Sequence, residues 1–351
     1  MTRYDRQALL PGWGEPGQAR LASAHALIVG CGALGCIAAD LLARAGVGHL
    51  TLVDRDIVEP SNLPRQALFS EDDLGAPKAL AARDRLARIN SSLSIDAHAI
   101  DLTHANARAV RREAIPEGAP GILLDGSDTF ETRFLLNDLA VAHALPYFYA
   151  GVLAARATAF PILPGGPCLR CLLPEPPPHA ETCETAGVFA PAVWIIAAAQ
   201  AGEALKLLLG LDDRLARSIL SFDLWSNDRR RLPLPPPDPQ CPCCASRRFD
   251  FLDGALAPEA VRLCGRSGIQ ISPPTPPSPP PPLDLDALAA RLSPHAPIAR
   301  WEGMIRLTLA HERGDDPAQP IQVCLFADGR ALILGTTSIP RARSILARLL
   351  G

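Results

Sequence analysis

The stretch that decides the fold is His25–Asp54, HALIVGCGALGCIAADLLARAGVGHLTLVD. HALIVG is a short apolar run of strand character. CGALGCIAADLLARAG has helical spacing and stops at Gly46, and HLTLVD is a second strand that ends on Asp54. Between the first strand and the helix, Gly30-Cys31-Gly32-Ala33-Leu34-Gly35 satisfies G-x-G-x-x-G, and Asp54 follows 19 residues after Gly35. Glycines in such a turn let backbone N–H groups close on a phosphate at the helix N-terminus, and an acid after the next strand accepts from ribose hydroxyls. Alone the glycine string is weak, and a tight turn that binds nothing would explain it. With strand, helix and acid in place it points to a nucleotide.

Outward from this unit the rhythm continues. APKALAARDRLARIN is a helix entered through Pro77, SIDAHAI alternates like a strand, ILLD is a buried strand and FETRFLLNDLAVAHA a helix. Such alternation predicts an α/β fold, a Rossmann-like, mostly parallel sheet with helices on both faces. Proline, 36 residues in all, punctuates the chain, and Pro273–Pro282 (PPTPPSPPPP) reads as an extended linker that can neither continue a helix nor join a ladder. The expected division is 1–253 as the main domain, 254–282 as connecting segment and proline-rich linker, and 283–351 as a small α+β module. In that module LDLDALAARL is a helix, MIRLTLA a strand, IQVCLFADGRALIL a hairpin around Asp328-Gly329, and PRARSILARLL a last helix.

Composition sets the outer limits. With 351 residues, 48% hydrophobic and 20% charged, global disorder is excluded. A net charge of -3, from 34 basic and 37 acidic side chains, argues against a general nucleic-acid binder, and 5% aromatics argue against a single-strand stacking platform. MTRYDRQALLPGWGEP lacks the apolar core of a signal peptide, and the apolar run Val188–Ala199 reads as too short and too broken at Pro191 to span a bilayer. A cytoplasmic protein with no membrane partner is expected.

The residues after Asp54 favour a triphosphate over NAD. Asp56-Ile57-Val58-Glu59-Pro60-Ser61-Asn62-Leu63-Pro64-Arg65 and then Gly75-Ala76-Pro77-Lys78 bring cations toward the glycine turn. A dehydrogenase does not need them, whereas cleavage of ATP develops charge on the α-phosphate and the departing pyrophosphate. Arg65 offers a bidentate fork, Lys78 a point charge and Asn62 a neutral donor. Asp128, just past ILLD at the carboxyl edge of the sheet, suits Mg²⁺ bridging phosphate oxygens. Any one of these read singly is a solvated surface charge; their joint placement after successive strands is not.

Cys168-Leu-Arg-Cys171 and Cys241-Pro-Cys-Cys244 are C-x₂-C pairs about seventy residues apart. Four thiolates leave no open position, so the expected role is a structural Zn²⁺ that ties two distant segments, with Cys243 a spectator; a disulfide is the weaker alternative. Cys183 sits apart in HAETCETAG, while Cys31, Cys36, Cys264 and Cys324 lie in apolar patterns as small core residues.

RYDRQ, GxGxLG, DxDxVxxSNLxRQ, GxPKA, LDxSD, CLRC, TCxTAGVxAP and CPCC occur in one order over about residues 1 to 250. In this the chain resembles the ThiF/MoeB/HesA branch of the ubiquitin-activating-enzyme superfamily. The resemblance implies ATP-dependent adenylation of the C-terminal glycine carboxylate of a small ubiquitin-like carrier or modifier ending in Gly-Gly, with release of pyrophosphate. It puts ATP on the Gly30–Gly32 turn, Ala33, Asp54, Ser61 to Arg65, Lys78, Asp128 and Thr129. It also implies a homodimer in which Arg6 reaches the neighbouring nucleotide, and Cys183 as the acceptor of the activated acyl group. Ala33 stands where bacterial members often carry Gly, and Thr129 replaces the usual Asn.

Three other readings compete. A tRNA-modifying dehydratase of the same superfamily keeps the fold but is disfavoured by the acidic balance and the cysteine pairs. An NAD-dependent oxidoreductase fits the glycine turn and leaves Arg65, Lys78 and the cysteines without a role. A scaffold acting through the C-terminal module is compatible as an added role.

Overall fold

The computed structural model describes residues 3–177, 186–256, 268–271, 283–294 and 296–350. The chain divides into two compact units, Met1–Ala257 and Pro258–Gly351.

In the first unit the described residues build an eight-stranded sheet. Its strands are β1 (His25–Val29), β2 (His49–Val53), β3 (Ser94–His98), β4 (Gly121–Asp125), β5 (Tyr147–Leu153), β6 (Arg156–Ile162), β7 (Ser218–Asp223) and β8 (Asp228–Pro233), in the order β3-β2-β1-β4-β5-β6-β7-β8. β3 to β5 along that order are parallel, and β6, β7 and β8 add antiparallel. The apolar runs of β1, β2 and β4 are buried beyond their first residue because helices cover both faces.

The helices are α1 (Asp5–Ala8), α2 (Gly14–Ala22), α3 (Ala33–Ala45), α4 (Lys78–Ile89), α5 (Ala107–Ala114), α6 (Phe130–His143), α7 (Leu169–Leu172) and α8 (Ala190–Leu208). α3 and α4 share one core layer with β1 and β2, and α5 and α6 pack the opposite layer with β4 and Tyr147. The chain order reverses between β1 and β4, which opens the ligand crevice of a doubly wound sheet at their carboxyl ends.

α8 corrects one expectation. Pro191 does not break the apolar run; it occupies the first turn of a 19-residue helix, where its missing N–H costs nothing. By length and composition that helix could cross a membrane. Here it is a core helix: Ala192, Val193, Ile196 and Ala197 pack with α3, β5 and β6.

The second unit is an antiparallel five-stranded sheet, β10-β11-β12-β13-β9, made of β9 (Gly268–Ile271), β10 (Ile298–Trp301), β11 (Met304–Arg313), β12 (Pro320–Phe326) and β13 (Ala331–Leu334). α9 (Leu285–Leu292) and α10 (Ile339–Leu350) close one core on it. Asp284 caps α9 by accepting from the Ala287 N–H at 2.9 Å, and Gly329 takes φ 84° in the β12–β13 hairpin. β9 lies in what the sequence reading treats as connecting segment; the structure pairs it with β13 as a sheet edge. Cys324 is fully buried in β12, as its pattern suggests.

Candidate active site

The glycine turn is built from main chain pressed against main chain. Gly30 takes φ +93°, and a methyl group at Gly35 would stand 1.8 Å from the Gly30 carbonyl oxygen. Gly126, after β4, meets the same oxygen: a Cβ there would lie 2.2 Å from it. The turn after β1 and the turn after β4 therefore touch through backbone alone. α3 starts from Gly32 without a side-chain cap, so its first-turn amides remain to face an anion.

Asp54 anchors this turn. Its carboxylate accepts from the Cys31 N–H at 2.6 Å and from the Asp56 N–H at 2.7 Å. Burial pushes the Asp54 carboxyl above its ordinary range, with Lys78 and the two amides opposing that rise. Lys78, at the first position of α4 and 4% exposed, pairs with Asp56 at 3.2 Å. The neighbouring thiols are inert: burial raises Cys31 well above its ordinary value and Cys36 to about 12.

The end of β4 carries the second part of the site. Asp125 is buried and accepts from the Ser127 N–H, the Ser127 hydroxyl at 2.6 Å and the Tyr147 hydroxyl at 2.7 Å. Arg133, one turn into α6, donates to the Ser127 carbonyl and the Tyr149 hydroxyl, both at 3.2 Å, and its guanidinium lies 5.1 Å from the Phe130 ring centroid. Gln200 of α8 donates to the Asp125 and Phe148 carbonyls at 3.0 and 2.7 Å. This network holds the strand end from which Asp128 projects, exposed, at the crevice. Thr129 caps α6, its hydroxyl 2.8 Å from that of Thr132.

Other expected site residues take different places. Asn62 is buried and caps the turn Pro60–Asn62, its side chain accepting from the Glu59 N–H at 3.1 Å. Ser61 is exposed, and Arg65 bonds within its own turn, donating to the Ser61 carbonyl at 2.5 Å. Arg6 is exposed on α1, while its neighbours are pinned: Gln7 donates to the Ala45 carbonyl at 2.7 Å, and the Tyr4 hydroxyl accepts from Asn90 at 2.9 Å. Cys183 and Cys264 lie outside the described residues. Sequence reasoning missed Arg55, Asp125, Arg133 and Gln200. Arg55 pairs with Asp101, past β3, at 3.4 Å; its position directly after the ribose-type acid is a signal that was available.

The cysteine pairs converge. Cys168 and Cys241 sulfurs are 3.6 Å apart, Cys171 and Cys244 3.4 Å, and Cys168 and Cys171 3.9 Å. All four lie within 4.8 Å of one another. A tetrahedral zinc with bonds of about 2.3 Å sets sulfurs about 3.8 Å apart, so this donor set fits one. Cys243 sits between the cluster and α6: its thiol interacts with that of Cys168, donates to Asp138 at 3.3 Å and accepts from Asn137 at 3.3 Å. Asn137 also accepts from the Leu169 N–H, and Asp138 from the Phe251 N–H, so adjacent residues of α6 brace three loop segments.

This fold and crevice belong to a defined class: the ThiF family matches residues 4–243, and the chain is a member of it, an enzyme of adenylyltransferase type. The sulfur carrier protein ThiS adenylyltransferase of Bacillus subtilis (strain 168) is 40% identical, covering 99% of each chain. The sulfur carrier protein adenylyltransferase of Thermus thermophilus is 38% identical over 70% of this chain and 90% of its own. Among solved structures, E. coli MccB with ATP superposes with a TM-score of 0.60 at 25% identity, covering 69% of this chain and 74% of that one. The oxidoreductase reading falls with these findings.

Proposed function

We propose that the enzyme adenylates the C-terminal glycine carboxylate of a ubiquitin-like sulfur carrier with ATP. A carboxylate oxygen attacks the α-phosphorus, the bond from that phosphorus to the β-phosphate bridge breaks, and pyrophosphate leaves. The observation that carries this reading is the uncapped start of α3, packed on Gly126 and flanked by Asp54, Lys78 and Asp128. Amides at the start of α3, from Gly32 onward, would hold phosphate oxygens, Asp54 the ribose, and Lys78 developing negative charge, so positioning and fixed charge do most of the work. Bound Mg²⁺ would neutralise charge on the phosphates, with Asp128 the residue to hold it. Arg65 and Ser61 would close on the nucleotide by leaving their mutual bond. Arg6, with its neighbours pinned and its own side chain outward, is suited to reach a second copy in a homodimer.

The four thiols would hold a structural Zn²⁺. Cys183 would take the acyl group by thiolate attack on the adenylate carbonyl, with AMP leaving. The test is ATP–pyrophosphate exchange with the cognate carrier. Wild type exchanges label, and Asp128→Ala loses about a hundredfold. No exchange with any carrier overturns the reading.

A further inference from the structure

The guanidinium of Arg55 stands where three strand ends meet. It directly follows Asp54 after β2, is held by Asp101 beyond β3 at 3.4 Å, and lies in the field of the Asp54, Asp56, Asp101 and Asp128 carboxylates. Its side chain keeps 21% exposure, so it belongs to the rim of the crevice and not to the core. The second cation there, Lys78, is engaged with Asp56. The carboxylates of Asp54, Asp56, Asp101 and Asp128 thus gather around Arg55 at the mouth of a site that would take a polyanion. Like charge at this range repels a nucleotide and concentrates bare divalent metal.

We propose that Arg55 is a positioning residue whose charge balances the Asp54, Asp56, Asp101 and Asp128 carboxylates, so that nucleotide and divalent ion enter together instead of metal alone settling among the acids. The inference rests on the crevice being the ATP site. Arg55 touches no reacting atom; it acts by keeping Asp54 and Asp128 available to their ligands.

The test uses full-length, nucleotide-free protein titrated with Mn²⁺ by electron paramagnetic resonance, and ATP titrated at fixed Mg²⁺ by calorimetry. Arg55→Gln removes a positive charge and should bind Mn²⁺ about fivefold tighter and ATP about tenfold weaker. Asp101→Asn breaks the same ion pair but removes a negative charge, so Mn²⁺ should bind about fivefold weaker, with ATP affinity kept or raised. Both shifts should shrink in high salt, and Arg55→Lys should restore the Mn²⁺ affinity. A merely structural bridge moves both variants in one direction, and that result, or no Mn²⁺ shift, overturns the proposal. Wild type that binds no ATP would sink the reading of the crevice instead, while the opposed Mn²⁺ shifts still judge Arg55. Thermal melts of both variants establish that each is folded.

Discussion

The two halves of the large sheet solve the problem of holding a site in opposite ways. In the parallel half, from β3 to β4, the crevice is made of main chain: Gly30, Gly35 and Gly126 meet backbone to backbone, and one buried acid ties two amides. In the antiparallel half, the loops after β6 and β8 are stitched by side chains: four thiols, Cys243, and the Asn137–Asp138 pair. A surface of touching backbone has no room for another atom. A side-chain tie can lose one member and leave its neighbours in place, unless the member lost is one that several others need.

The sharpest way to break this contrast is Gly35→Ala. A methyl group 1.8 Å from a carbonyl oxygen must displace the glycine turn or the start of α3, since no flexible side chain is there to yield. We expect a loss of about 3 kcal/mol in urea unfolding, with ATP binding lost as well, at the upper end of overpacking costs. A variant that unfolds like wild type and still binds ATP would mean the parallel half is no tighter than the antiparallel half.

The next effect should separate two adjacent thiols. Metal analysis should find zinc in purified wild type and none in Cys244→Ser, because Cys244 is one of four converging sulfurs. Cys243→Ala should keep the metal and lose about 1 kcal/mol, having withdrawn a donor from buried Asp138 and an acceptor from Asn137. If Cys243→Ala also empties the site, Cys243 belongs to the ligand set and is not merely a tie to α6.

Legibility in the sequence follows the same divide. Gly30, Gly35, Asp54 and Lys78 are readable because a phosphate turn needs particular residue types at short fixed spacings, and the C-x₂-C pairs are readable for the same reason. Gly126 is a contact across 91 positions from Gly35, and no local pattern announces it. Asn62 has the composition of a ligand donor, but that its side-chain oxygen caps a turn three residues past Glu59 depends on the backbone path, which no local pattern announces. Arg133 sits in an ordinary helical pattern; its role comes from the buried Asp125 and Ser127 and the half-buried Tyr149 that the fold brings to it. In the second unit the helices and the hairpin are legible, while β9 is not, because four residues beside a proline run carry too little pattern.

The smallest predicted effect compares two aspartates near the cysteine loops. Asp250 pairs with Arg170 at 2.9 Å and Arg248 at 3.0 Å. Burial tends to raise its carboxyl, but the hydrogen bonds from the two arginines prevail and hold it below the ordinary range. Asp138 has no cation bonded to it in the described interactions, and burial pushes it up despite the Cys243 thiol and the Phe251 and Leu252 N–H groups. The signs are therefore opposite. A depressed carboxyl stabilises the fold above its unfolded value and loses that contribution as pH falls through the folded value, whereas a raised carboxyl takes up its proton first in the folded state, so acidification through its folded value favours folding. Asp250→Asn should cost about 1 kcal/mol at neutral pH and progressively less below pH 4. Asp138→Asn should differ from wild type by an amount that grows in wild type's favour as pH falls toward 4, when the wild-type carboxyl gains the proton that the amide cannot. Urea unfolding of the two variants across that range reads both slopes. Parallel slopes would show that the loops after β6 and β8 share one electrostatic environment, and that buried Asp138 is held no differently from its arginine-bound neighbour.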